Sequence, residues 1–161
     1  MNPLDPPTTS ASGFDIGHAP GHLIRRAHQL AVAIFMEELA EHEVTPVQYA
    51  ILNALTATPG EDQVTLAGRV AFDAATSGSV IGRLEARGWV RREGDPRDKR
   101  RKLLWVTPEG EQAVRDMTQG VRQVQSRLVA PLDGAEQVEL VRLLEKLVAG
   151  HEAQASAAVL R

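Results

Sequence analysis

The chain of 161 residues has no cysteine. That absence excludes disulfides, thiolate nucleophiles and thiol redox sensing, and leaves five histidines and the acids as metal-ligand types. Long apolar runs are also missing: no stretch of roughly 18 apolar residues occurs and no charged-then-apolar leader opens the chain, so neither a membrane span nor a secretory signal is read and a cytoplasmic location is expected. No internal repeat is visible. No nucleophile stands beside a base, and no carboxylate pair announces a cleft, so an enzyme with catalytic residues or a cofactor is not expected. His18 and His22 have a metal-capable i, i+4 spacing, but two ligands without a third do not make a site, and no metal is expected.

Excess positive charge is lacking overall, the formal net charge being -3. The basic residues are nevertheless concentrated. Leu66 to Gly110 holds ten Lys/Arg against six Asp/Glu, net +4, which leaves eight against fifteen, net -7, elsewhere. Within it "GDPRDKRRK", residues 94 to 102, sets five cations and two acids around a Gly and a Pro. A polyanion at close range meets the local patch rather than the total, so this segregation reads as a phosphate footprint, with a merely solvated surface as the competing reading.

The opening "MNPLDPPTTSASG" offers almost nothing to bury and is expected to be a disordered tail, residues 1–17. From about Gly21 to His42, Leu23, Ile24, Ala27, Leu30, Ala31, Ile34, Phe35 and Leu39 recur at helical spacing, predicting one long amphipathic helix. "TPVQ" supplies Thr45 as N-cap, Pro46 at the first helical position and Gln48 for a capping box, opening a helix to about Ala57. Asp62 caps a short helix over Gln63 to Ala71, and Asp73 caps another from Ala74 to Arg87, stopped by Gly88. "WVRRE" and "RKLLWV" around a Gly-Asp-Pro turn read as a hairpin. "TPEG" starts a helix at Thr107 and Pro108 that runs to Ala130 before Pro131, and Asp133 with Glu136 caps a last helix that fades in "EAQASAAV". The result is a mainly α fold with a small β-hairpin. Two abutting short helices followed by a basic hairpin are the order of a winged helix-turn-helix, whose second short helix enters the major groove.

The string "SGSVIGRLEARGWVRREGDPRDKRRKLLWVTPEG" resembles the signature of the MarR family of transcriptional regulators: a recognition helix ending "RLEARG", a "DPRDxR" wing and a "TPxG" helix start, with Val106 where the family usually has Leu. The resemblance implies a single domain over 18–161. Residues 45–107 would form the DNA-binding lobe, and 18–44 and 108–161 would be dimerisation helices that intertwine with those of a second copy. A two-fold homodimer would meet double-stranded DNA at half-sites about 10 bp apart.

In the recognition helix, spacing turns Val80, Ile81 and Leu84 to the core and leaves Ala75, Thr76, Ser77 and Ser79 to face outward, with Arg83 a further DNA-binding candidate. No Arg or Asn sits early in the helix to grip a base edge, so wing and DNA shape would carry specificity. Gly78 and Gly82 weaken the helix by about 1 kcal/mol each relative to Ala. Close approach to DNA, a helix that firms on binding, and tolerated drift are the readings of Gly78. In the wing, Arg97 is expected to enter the minor groove, with Lys99, Arg100 and Arg101 on phosphates. By resemblance to the family's acid-x-Arg element, Asp98 is expected to pair with Arg100 and hold the tip in shape.

The resemblance further implies a small-molecule effector, often a phenolic or aromatic carboxylate, bound between the dimerisation helices and the DNA-binding lobe and releasing DNA by changing the lobe spacing. At about 100° per residue the first helix's apolar stripe centres near Ala27. Arg26 and His28 then flank it while Arg25 points away, which favours Arg26 as carboxylate anchor. His18, His22 or His28 serve as second contacts and Phe35 or Tyr49 as wall. For each of them a structural ion pair or a core aromatic is the competing reading.

Overall fold

The computed structural model describes residues 15–70, 74–98 and 100–159. Structure begins inside the stretch expected to be a tail: the Asp15 carboxylate accepts the Gly17 N–H at 2.9 Å and caps a 3-10 turn, Ile16–His18. Helix α1, Pro20–Glu38, follows with proline in its first turn. It is shorter than its periodicity suggests, because Ala40–His42 tightens into a 3-10 turn that ends at Glu43 in the left-handed region (φ 49°). Helix α2, Pro46–Ala57, opens on the expected capping box, with the Thr45 N–H donating to Gln48 Oε1 (2.9 Å) and the Gln48 N–H to the Thr45 hydroxyl (3.3 Å).

Strand β1, Glu61–Asp62, leads directly into α3, Gln63–Arg69, where Asp62 accepts the N–H groups of Val64 and Thr65, both at 3.0 Å. Helix α3 ends at Arg69 with Val70 as its C-cap, and Ala71, where the expected helix ends, lies outside the described residues. Helix α4 spans Ala74–Ala86; its expected cap, Asp73, lies outside the described residues. Gly88 then turns the chain with φ 76°, a conformation that suits glycine. Strands β2, Val90–Gly94, and β3, Lys102–Val106, pair antiparallel from Val90↔Val106 to Gly94↔Lys102. The sheet has a third member that the hairpin reading lacks, since β1 pairs with β3 through Glu61↔Leu104 in the order β1-β3-β2. Two residues carry no alternation, so pattern could not show this strand.

Helix α5, Pro108–Val129, starts where the Thr107 hydroxyl accepts the Gly110 N–H at 3.1 Å. Helix α6, Gly134–Val159, has its own capping box between Asp133 and Glu136 and continues through the segment where the apolar pattern fades.

One core unites these elements. Phe35, Leu39, Val44, Ile51, Leu52, Leu55, Leu66, Ile81, Leu84, Val90, Leu104, Val114, Met117 and Val124 form a single buried cluster. Each large side chain in it contributes about 1.5–3 kcal/mol by leaving water. Helix α5 serves both ends of the molecule. Its start lies under the sheet, where a Cβ on Gly110 would press into the Trp89 carbonyl and stand 2.8 Å from Val106 Cγ2. Its middle crosses α1, where a Cβ on Gly120 would be 2.6 Å from Leu39 Cδ2. Helix α6 behaves differently: every residue from 138 to 153 is exposed, including Val138, Val141, Leu144 and Leu147.

Candidate nucleic-acid interface and effector region

Helix α4 lies with Ile81 and Leu84 buried at 0% and 1% exposure and Val80 half-buried. Ser77 is also fully buried, which corrects its expected place on the DNA-facing side. The reason is helical geometry: residues 77, 81 and 84 stand at i, i+4 and i+7 and share one face. Ala75, Thr76, Ser79 and Arg83 remain exposed on the other side. Gly78 has a local explanation in the helix pair itself, since a Cβ there would stand 2.9 Å from the Gln63 amide nitrogen at the start of α3, whereas Gly82 has open space around it.

The tip between β2 and β3 is shaped by two aspartates. Asp95, 8% exposed, accepts the Arg97 N–H at 2.8 Å, and its own N–H donates to the Arg101 carbonyl at 3.1 Å. Asp98 accepts the Arg100 N–H at 3.0 Å while its carbonyl receives the Arg101 N–H at 2.9 Å. Asp98 therefore shapes the tip through backbone amides, and its charge acts on the Arg101 guanidinium rather than pairing with that of Arg100. The ion pair belongs to Arg101, which donates to Asp62 and lies 3.6 Å from Asp95. Arg101 is thus a tie between wing and α3, with its side chain still half-exposed. The Thr65 backbone N–H and then Arg101 hold the Asp62 carboxyl down to about 2. Asp62 serves two ends at once, helix cap and wing anchor, and sequence shows only the first because Arg101 is 39 residues away.

Arg97 and Arg100 are exposed and make no ion pair among the described residues; Lys99 lies outside them. Behind the wing, Arg92 pairs with Glu85 of α4 at 2.8 Å and Arg91 pairs with Glu93. A groove of about 400 Å³ runs between α3 and the wing, lined by Asp62, Gln63, Val64, Arg92, Arg100 and Lys102 among others. The local chemistry is cationic and open to solvent beside the exposed face of α4. A protein acidic elsewhere carries there what a phosphate backbone requires.

The effector candidates lie in the 3-10 turn (His18), along α1 (His22, Arg26, His28, Phe35) and on α2 (Tyr49). His18 Nδ1 lies 2.6 Å from Asp15 Oδ2 on an exposed surface, the structural ion pair that competed with a ligand role. His22 is half-buried, and Arg26 and His28 are exposed. Arg25 donates to Gln29 Oε1 at 3.3 Å. Phe35 is 6% exposed and belongs to the core, which corrects its reading as a groove wall. Tyr49 is half-buried with its ring tilted against Phe35, centroids 6.2 Å apart. Burial pushes the Tyr49 phenol up, against the lowering effect of the Thr118 hydroxyl and the Arg122 charge. Thr118 and Arg122 went unread because they arrive from α5, with no local spacing to α2. Leu23, Ile24 and Leu30 on the first half of α1 are 46–59% exposed, so the described residues leave that stripe uncovered. Among the described residues no cluster of three potential metal ligands occurs, and no helix is long and apolar enough to cross a membrane.

Comparison with known proteins agrees with this architecture. A sequence profile of the MarR family matches residues 42–101. The transcriptional regulator HosA of Escherichia coli O111:H- is 35% identical over 127 residues, covering 79% of this chain and 93% of HosA. The HTH-type transcriptional repressor NicR of Pseudomonas putida is 30% identical over 139 residues, covering 86% and 88%. Among solved structures, BpsR of Bordetella bronchiseptica, whose DNA binding is regulated by 6-hydroxynicotinic acid, superposes with a TM-score of 0.80 at 34% identity, covering 84% of this chain and 96% of BpsR. The fold is that of a winged helix protein, mostly helical with a small antiparallel sheet, and the chain belongs to the MarR family of transcriptional regulators.

Proposed function

We propose that this protein is a repressor that binds a pseudo-palindromic operator as a two-fold dimer and is released from it by a small aromatic carboxylate. The observation that carries the DNA-binding part is the exposed face of α4, Ala75, Thr76, Ser79 and Arg83, set beside a wing whose Arg97 and Arg100 have no acidic partner among the described residues. Arg97 is assigned to the minor groove, with Arg100 and Lys99 on phosphates. Residues 45–107 form the DNA-binding lobe in this reading, and 18–44 with 108–161 the dimerisation region.

Dimerisation is supported by α6. Val141, Leu144, Leu147 and Val148 are 43–54% exposed on a helix face that nothing among the described residues covers. A continuous apolar face of this kind is stable in water only against a partner. Leu23, Ile24 and Leu30 of α1 extend the uncovered surface, so the effector groove would be completed by the second copy. An aromatic carboxylate is the ligand class because BpsR responds to 6-hydroxynicotinic acid and because α1 presents Arg26 at the rim of its apolar stripe. His22, His28 and Tyr49, with Thr118 and Arg122, supply further polar contacts. Work in the cytoplasm, where the DNA lies, follows from this role.

The test uses a duplex selected from random sequence by the wild-type protein and a panel containing 6-hydroxynicotinate and hydroxybenzoates. At least one acid weakens duplex binding, and Arg26→Ala raises the acid concentration needed by more than tenfold while Arg25→Ala leaves it unchanged. If the whole panel leaves affinity untouched, the protein acts by occupancy alone. If Arg25→Ala loses the response and Arg26→Ala keeps it, the groove lies on the opposite side of α1.

A further inference from the structure

Arg87, directly after α4, makes contacts that neither the core nor the DNA-facing surface requires. Its Nη1 donates to the Glu43 carbonyl at 2.9 Å and its Nη2 to the His42 carbonyl at 2.8 Å. Its guanidinium carbon lies 3.9 Å from the centroid of the Trp89 ring. The two carbonyls belong to the turn joining α1 to α2, where the 3-10 segment ends and Glu43 takes its left-handed conformation. Trp89 is itself fastened to the third party: its carbonyl accepts the Thr107 N–H at 2.9 Å, beside the position where Gly110 admits the start of α5. One side chain thus links the end of α4 to the turn that follows α1 and, through Trp89, to the residue that caps α5.

The chemistry of this link fixes orientation as well as proximity. A guanidinium is a planar fork with its donors in fixed directions, so two carbonyls on the fork and a ring on its face define both distance and angle. The carbonyls at the end of a helical turn lack intrahelical donors, and Arg87 satisfies two in the segment that changes direction between α1 and α2. A shift of that segment therefore acts on the C-terminal end of α4 through the Arg87 fork.

We propose that Arg87 is a positioning residue through which the α1–α2 turn and the recognition helix set each other's orientation. The proposal rests on the DNA-binding reading above and adds the route by which the two ends of the lobe communicate. Coupling between sites is reciprocal, so a turn that governs how α4 is held must itself respond when α4 engages DNA.

That reciprocity gives a test that needs no effector. Amide hydrogen exchange is followed in the full chain, free and saturated with the selected duplex. In the wild type, saturation slows exchange at residues 40–44 by about tenfold or more. In Arg87→Ala, with duplex raised until α4 is equally protected, the slowing at 40–44 falls below about twofold. Arg87→Lys, which keeps the charge and the stem but can reach only one carbonyl, gives an intermediate value and keeps the test alive if the alanine variant folds poorly. A purely structural Arg87 would lower the melting temperature and the affinity yet leave the DNA-induced slowing in place. That result, or a wild type whose turn does not respond to DNA, overturns the proposal. A chain that selects no duplex and shows no α4 protection refutes the DNA-binding reading and carries this inference down with it.

Discussion

At the scale of single residues, the positions with least freedom are those where two backbones meet. Gly110 is the sharpest case, because a methyl there would collide with the Trp89 carbonyl, and backbone cannot rotate out of the way as a side chain can. Gly110→Ala is expected to destabilise the fold by about 3 kcal/mol, read as a fall of about 10 °C in melting temperature. Gly82→Ala, with open space at the same atom, should raise stability by up to about 1 kcal/mol through helix propensity. Equal effects of the two substitutions would show that the approach of α5 to Trp89 is looser than described. Gly110 was visible beforehand only as part of a "TPEG" start signal. The physical reason for it, the Trp89 carbonyl, is 21 residues away in sequence, beyond the reach of any local pattern.

At the scale of elements, the wing is held by a tie that also caps a helix. Asp62 accepts two N–H groups at the start of α3 and the Arg101 guanidinium from the wing, and its carboxyl sits at about 2. Because the folded-state value lies below the unfolded one, the stabilisation is fully present above about pH 4 and is lost as pH falls toward 2. Asp62→Asn should flatten the acid limb of the stability curve in that window, and Arg101→Ala should remove part of the same effect. For duplex binding, Asp62→Asn and Arg101→Ala should be non-additive, the double variant costing less than the product of the single losses. Fully independent losses would mean that Arg101 acts on DNA directly. Capping boxes at Thr45 and Asp133 and the cap at Asp62 were legible in the sequence because a cap is written within four residues. The Asp62–Arg101 tie, strand β1 and the burial of Ser77 were not. The first two depend on partners distant in sequence, whereas the face of Ser77 follows from its spacing to Ile81 and Leu84 and only its polar hydroxyl argues against burial.

At the scale of the molecule, the two halves face different partners. One presents cations and small polar side chains around α4 and the wing; the other presents the leucines and valines of α6. Leu147→Glu should convert the protein from a dimer to a single chain of 17.5 kDa in sedimentation and weaken duplex binding by orders of magnitude, since each half-site then binds alone. A dimer that survives the charge would place the interface elsewhere.

An acidic protein that reads DNA through a basic wing should show that wing in the salt dependence of its duplex affinity. Log affinity plotted against log salt concentration should fall with a steep slope for the wild type, and Arg97→Ala should weaken binding and reduce that slope by about 1, the share of one phosphate-neutralising contact. A flat slope, or a slope and affinity that Arg97→Ala leaves unchanged, would contradict it.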